Sequence, residues 1–151
     1  MAMRRLSFVS GVVAVLATMS AALTGCSTTV HVDPPSPTGA AAEACRRLGV
    51  VLPHALDGAN RTMFEPASSF VSVWGDGEIM LRCGVPRPAE MAPTAEVSDI
   101  NGVGWFSDPR RPLLFTAVNR VAYVEVTISK KHVPGEVLVD LADPIKKTIP
   151  E

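Results

Sequence analysis

Three cysteines are the residues of this chain best suited to covalent chemistry, and each sits in a different setting. Cys26 ends the string Leu23-Thr24-Gly25-Cys26, just after an apolar run and just before a polar one. A thiol preceded by residues small enough to enter a modifying and cleaving enzyme has the form of a bacterial lipobox, in which that sulfur takes a diacylglyceryl group. Arg4 and Arg5 precede the run, and from Leu6 to Leu23 no side chain is charged, which is a secretion-signal profile. A retained membrane anchor needs about 20 apolar residues, and the Ser, Thr and Gly content of the run argues against it. The remaining alternative is a plain signal peptide whose Cys26 stays free or pairs elsewhere. Two acyl chains give the stable anchoring that one cannot, so a lipidated chain stays on the membrane. The Arg-Arg pair fits general secretion and partly resembles a twin-arginine leader.

Subtracting Cys26 leaves Cys45 and Cys83 as an even pair, for which a disulfide is expected in an oxidising compartment. By the chain-entropy relation such a bridge is worth roughly 4 kcal/mol. His31, His54 and His132 are scattered, and no Cys-x-x-Cys or His-Glu-x-x-His spacing accompanies them, so no metal or other cofactor is expected. No Gly-x-Ser-x-Gly elbow frames a serine, and no catalytic residue is assigned. Asp76 and Glu78 have the types of an acid–base or metal pair, against the plainer reading of a turn aspartate and a solvated strand-end glutamate. His132, in "SKKHVPG", reads as a loop residue in water.

The chain holds 14 basic and 15 acidic residues; Arg4 and Arg5 leave with the leader, and the rest carries a formal charge of −3. Nucleic-acid binding needs clustered cations to displace counterions, so no nucleic acid is expected as a partner. The expected organisation is a leader over 1–25, a lipidated cysteine with a flexible Pro/Ser/Thr-rich tether over 26–40, and one globular domain over 41–151. Extended at about 3.1 Å per residue, the tether reaches roughly 40 Å.

The elements that hold these residues follow from periodicity. Cys45, Leu48 and Leu52 share one face of a helix predicted from Ala41 to Leu52 and stopped by Pro53. Asp76-Gly77 predicts a tight two-residue turn that pairs Trp74 with Ile79, Ser72 with Leu81 and Phe70 with Cys83 on one face. Both structural cysteines thus fall on apolar faces. A Pro-rich loop follows, then a hairpin turning at Asn101-Gly102 and two strands joined tightly near Asn119-Arg120. In the last strand Ala122, Val124, Val126 and Ile128 alternate with Tyr123, Glu125 and Thr127. Val137, Leu141 and Ile145 stripe a C-terminal helix opened by Pro134 and interrupted at Pro144, where Asp143 is placed to cap a short second helix. The fold class is α+β: an antiparallel sheet built from hairpins, with an N-terminal and a C-terminal helix packed mainly on one face.

The lipobox-like leader, Cys45, Trp74-Gly75, Leu81-Arg82-Cys83-Gly84, Gly102-Val103 with Trp105, and Arg120 followed by Tyr123-Val124-Glu125-Val126 occur in an order that resembles a family of small actinobacterial secreted lipoproteins classed as a domain of unknown function. The resemblance covers roughly Cys45 to Ile149. It implies an actinobacterial origin and an envelope location, and it brings no activity, cofactor or catalytic residue.

Function is therefore weighed on surfaces. Arg82, Tyr123 and Glu125 fall on the sheet face away from the first helix, where they form either a partner surface or an internal Arg–Glu pair. Trp74 and Trp105 line a pocket or fill the core; with 5% aromatic residues the core needs them. Asn60-Arg61-Thr62 matches a glycosylation acceptor, by chance in a bacterial lipoprotein. The expected role is a non-catalytic module, anchored on the extracytoplasmic face of the cell membrane and binding an envelope protein or cell-wall component. The alternative is a small-ligand or lipid carrier with a pocket between helices and sheet, and hydrolysis ranks third. The sequence leaves the oligomeric state open.

Overall fold

The structure is a computed structural model describing residues 29–151. The leader and Cys26 lie outside the described residues. Backbone chirality sets the hairpins. Asn101 and Gly102 adopt positive φ (52° and 80°), which closes β7 (Ser98–Ile100) onto β8 (Val103–Ser107) with Ile100 opposite Val103. Asp57 and Gly58 (42° and 79°) do the same between β2 (Ala55–Leu56) and β3 (Ala59–Thr62).

β5 (Val71–Trp74) and β6 (Ile79–Val85) pair in the expected register, Trp74 with Ile79 and Ser72 with Leu81, and the Cys83 N–H donates to the Phe70 carbonyl (2.8 Å). Their connection is not a two-residue turn, however. Gly75 and Gly77 take positive φ while Asp76 does not, and the Glu78 N–H closes the turn onto the Trp74 carbonyl (3.1 Å). The Gly75 N–H goes instead to the carbonyl of Asn60 on β3 (2.8 Å), so it cannot complete the tighter ladder.

β9 (Leu114–Ala117) and β10 (Tyr123–Ile128) complete an eight-stranded antiparallel sheet in the order β2-β3-β5-β6-β10-β9-β8-β7. The connection between β9 and β10 is longer than the tight turn expected at Asn119-Arg120, because Ala117 pairs with Val124. Arg120 is drawn inward, 5% exposed, and donates to the carbonyls of Ile149 and Gly102 (both 2.8 Å). It ties the C-terminus to the β7–β8 turn.

Two helices cover one face of the sheet. α1 (Gly39–Val51) starts two residues before the expected Ala41 and buries Ala42, Ala44, Cys45 and Leu48. α2 (Pro134–Thr148) runs unbroken through Pro144, against the expected interruption, and Asp143 caps nothing but pairs with Lys146 (3.0 Å). Its buried stripe, Val137, Leu138, Leu141, Ala142, Ile145 and Thr148, lies on both sides of Pro144. Each fully buried Leu or Ile is worth about 1.5–3 kcal/mol, so the stripe as a whole outweighs the roughly 3 kcal/mol cost of an internal proline. Trp74, Ile79, Leu81, Val126, Ile128 and Leu141 form the shared core, each 1% exposed or less. The expected bridge is present: Cys45 on α1 joins Cys83 on β6, with Cα atoms 5.5 Å apart.

The stretch assigned to a flexible tether is in part a piece of the domain. β1 (Val30–His31) pairs in parallel with β4 (Phe64–Glu65), and Val32 buries against Val71 and Val73 on the sheet face opposite the helices. Pro35 is also buried. Further along, Pro37 sits so close to Gly84 that a Cβ on that glycine would meet it at 2.5 Å. Gly84 takes a φ of 87°, open to glycine and strained for any residue with a side chain.

Candidate functional site

Alternation along β6 and β10 delivers Arg82 and Glu125 to the same face as cross-strand neighbours. Their ion pair is short (2.9 Å), with the side chains 32% and 16% exposed. The Arg82 Nε donates to the backbone carbonyl of Asp33 (3.0 Å), within the segment that crosses this face. The internal Arg–Glu pair is therefore what the structure contains, and residues 30–37 lie over part of the expected partner surface. Tyr123, half-buried, stands two residues from Glu125, opposite Val85 and beside an irregularity in the ladder.

A second polar constellation joins three elements remote in sequence. His132, on the loop between β10 and α2, is 7% exposed. Its Nδ1 lies 3.0 Å from Asp57 Oδ2 in the β2–β3 turn, and its Nε2 lies 3.1 Å from Glu78 Oε2 in the β5–β6 turn. Lys131 pairs with the other Glu78 oxygen, and the Val133 N–H donates to Asp57 (3.3 Å). Burial pulls the His132 pKa down, but hydrogen bonds to Glu78 and Asp57 outweigh it and raise the group above its ordinary range. Glu78 is held below the usual carboxylate range by its hydrogen bonds to Lys131 and then His132.

Such a doubly bridged imidazole suits a clamp. A general base must keep one ring nitrogen free to take a proton, and here each nitrogen faces a carboxylate. Sequence reasoning placed His132 and Glu78 in water and did not single out Asp57. The Asp57-Gly58 pair, flanked by Leu56 and Ala59, carries a hairpin signal that locates one corner of the clamp, but no local signal gives the other two.

Beside the clamp lies a polar cleft of about 370 Å³ formed by Gly58, Asn60, Arg61, Gly75, Asp76 and Glu78. Arg61 is committed to the fold: it stacks 5.8 Å from the Trp74 ring and donates to Ser72 Oγ (2.7 Å) and to the Gly49 carbonyl at the end of α1 (3.1 Å). Burial lowers its pKa. Asn60, the acceptor position of the Asn60-Arg61-Thr62 match, is exposed.

A second cleft, about 470 Å³ and mostly apolar, is lined by Pro112, Leu113, Leu114 and Thr127 with Arg111 and Lys130 at its rim. Its β8–β9 loop is set by buried Asp108, whose Oδ1 accepts the N–H groups of Arg110 and Arg111 and whose Oδ2 accepts two bonds from the Arg111 guanidinium (3.1 and 3.0 Å). Burial raises the Asp108 pKa, and those bonds outweigh it and hold the group low.

Both tryptophans belong to the core rather than to a pocket: Trp74 is fully buried with its indole N–H on the Pro53 carbonyl (3.0 Å), and Trp105 is 2% exposed. Among the described residues the Trp105 indole N–H has no hydrogen-bond partner. His31 lies near Asp33 (3.7 Å) in the crossing segment, and His54 supplies a backbone carbonyl to the Arg61 N–H (2.7 Å). No group of three or more His, Cys, Asp or Glu among the described residues is arranged to hold a metal ion.

The model of one protein family, described as a protein of unknown function (DUF3515), matches residues 5–151, and the chain belongs to that family. No curated protein and no solved structure matches the chain.

Proposed function

We propose that this DUF3515 chain is a lipoprotein of the bacterial cell envelope, fixed to the extracytoplasmic face of the membrane through Cys26. Its domain acts as a non-catalytic module that binds an envelope protein or a cell-wall component. The observation that carries this reading is the closed space between helices and sheet. Trp74, Val126 and Leu141 are fully buried there and Phe115 packs against them, leaving the domain its surfaces to work with. The double engagement of His132 supports the non-catalytic part.

The test has two arms. Intact mass spectrometry of the protein taken from its own membrane is expected to show a chain beginning at Cys26 with added acyl mass; a mature chain of unmodified mass overturns the anchor. Affinity capture from the same envelope is expected to recover one specific component with the wild type and less of it with Tyr123→Ala. Equal recovery argues against the sheet face. Tyr123 is the cleaner probe, because removing Arg82 also frees Asp33.

The carrier reading has one observation of its own. The apolar cleft at Leu113 and Thr127, at about 470 Å³, exceeds the roughly 300 Å³ that small-molecule sites need. Binding of a fluorescent fatty acid that is abolished by Leu113→Asp would favour it.

A further inference from the structure

We infer that residues 30–37 are a strap that shortens the membrane leash and seats the flank bearing Met63 against the lipid bilayer. This rests on the reading of Cys26 as the anchor.

The strap follows β6 from its turn to its far end. Val30 lies by the turn, within 3.4 Å of where a Gly77 Cβ would stand; Asp33 accepts from Arg82, and Pro37 packs on Gly84. Its attachments are of three kinds: the parallel ladder with β4, the burial of Val32 and Pro35, and the Arg82 hydrogen bond. Thr29, the first described residue, therefore lies close to the β5–β6 turn.

Only three residue steps separate Thr29 from Cys26, a span of at most about 11 Å even fully extended. The roughly 40 Å reach of a free tether is not available while the strap is seated. The anchored domain must then present to the membrane the surface around Thr29.

That surface carries an exposed apolar side chain. The β1–β4 register sets Val30 beside Phe64, so Met63, the residue before Phe64, stands beside Thr29. Neighbouring strands are about 4.8 Å apart. Met63 is 87% exposed, a long flexible thioether held in water within a few ångströms of the point where the leash begins. Of the carboxylates at this flank, Asp57 and Glu78 are matched by His132 and Lys131, while Asp76 in the turn and Glu65 opposite His31 have no ion pair among the described residues, so its charge is offset only in part. A lipid surface is the partner that the leash length brings within reach.

The experiment uses the protein purified from its membrane and reconstituted into vesicles of phosphatidylcholine and phosphatidylglycerol with brominated acyl chains. A Met63→Trp reporter is expected to lose its added emission to bromine quenching. A Val139→Trp reporter, on the exposed face of α2, should keep its emission. Releasing the strap with Val32→Asp is expected to abolish quenching of the Met63→Trp reporter while the protein still floats with the vesicles; where that variant fails to fold, Val32→Ser combined with Arg82→Ala, which weakens the apolar contact and removes the hydrogen bond together, serves in its place once limited proteolysis shows residues 30–37 open. Equal emission from the Met63→Trp and Val139→Trp reporters overturns the proposal, as does quenching that survives strap release. Intact mass of the same sample separates the two ideas. Protein without acyl mass defeats the anchor, and acylated protein without quenching defeats the strap.

Discussion

Replacing Cys45 and Cys83 together by alanine is expected to remove about 4 kcal/mol of stability through the denatured state alone. The bridge closes a loop of 38 residues by sequence separation. The chain-entropy relation then gives about 13 cal/mol/K, or about 4 kcal/mol at 25 °C. Both sulfurs are also buried, each residue being 1% exposed, and deleting one buried heavy atom costs about 0.5–1.5 kcal/mol in comparable Ile→Val changes. The sum is a large share of the roughly 5–15 kcal/mol that holds a domain of this size. Equilibrium urea unfolding, monitored by tryptophan fluorescence, reads it directly. With a slope of about 1–3 kcal/mol/M, the loop term alone should lower the midpoint by about 1.3–4 M, and the slope should rise because the uncrosslinked chain unfolds further. Wild-type protein in excess reductant should behave like the double variant. A midpoint displaced by less than about 0.5 M with both cysteines replaced would refute the loop-constraint reasoning, since it would fall well outside the range that the relation allows.

Three further outcomes are expected. His132, with its pKa raised above the ordinary value of about 6.5, contributes stability that is complete below about pH 6.5 and lost as pH rises through the folded-state value; unfolding midpoints of wild type and His132→Gln should therefore converge as the buffer becomes alkaline, and a gap independent of pH would contradict the clamp. Gly84→Ala meets both a φ of 87° and Pro37 at 2.5 Å, so it should cost about 1–3 kcal/mol and open residues 30–37 to limited proteolysis; an unchanged midpoint with an uncut strap would count against their close packing. Arg120→Ala leaves the Ile149 and Gly102 carbonyls without their donor and is expected to cost about 1.5–3 kcal/mol, with faster hydrogen exchange at the end of α2, and Arg120→Lys should not restore it because one ammonium replaces a fork.

Much of the fold was legible because it is local. The Asn101-Gly102 turn, the register of Trp74 on Ile79 and the alternation of Val124, Val126 and Ile128 each depend on a few neighbouring residues whose φ angles and side-chain directions are fixed within the segment. The pairing of Cys45 with Cys83 belongs with them: helical and strand periods each placed one sulfur on an apolar face, and one interior accommodates both. Where a local signal met a larger packing force, it lost. Pro144 marks a helix break on its own, yet the stripe from Val137 to Thr148 carried α2 through it. Asn119-Arg120 marks a tight turn on its own, yet two remote carbonyls drew Arg120 inside.

The sequence by itself determined the α+β class, the cysteine pair and the two faces of the sheet, because periodicity and turn chemistry act over a handful of residues. Only the tertiary structure decided that the Pro-rich stretch straps the sheet and that His132 lies between Asp57 and Glu78. Those contacts span separations of 49 residues from Asp33 to Arg82 and 75 from Asp57 to His132. Their partners are chosen by which strand ends and turns the assembled sheet sets side by side, and a polar side chain carries no local mark of the group it will meet there.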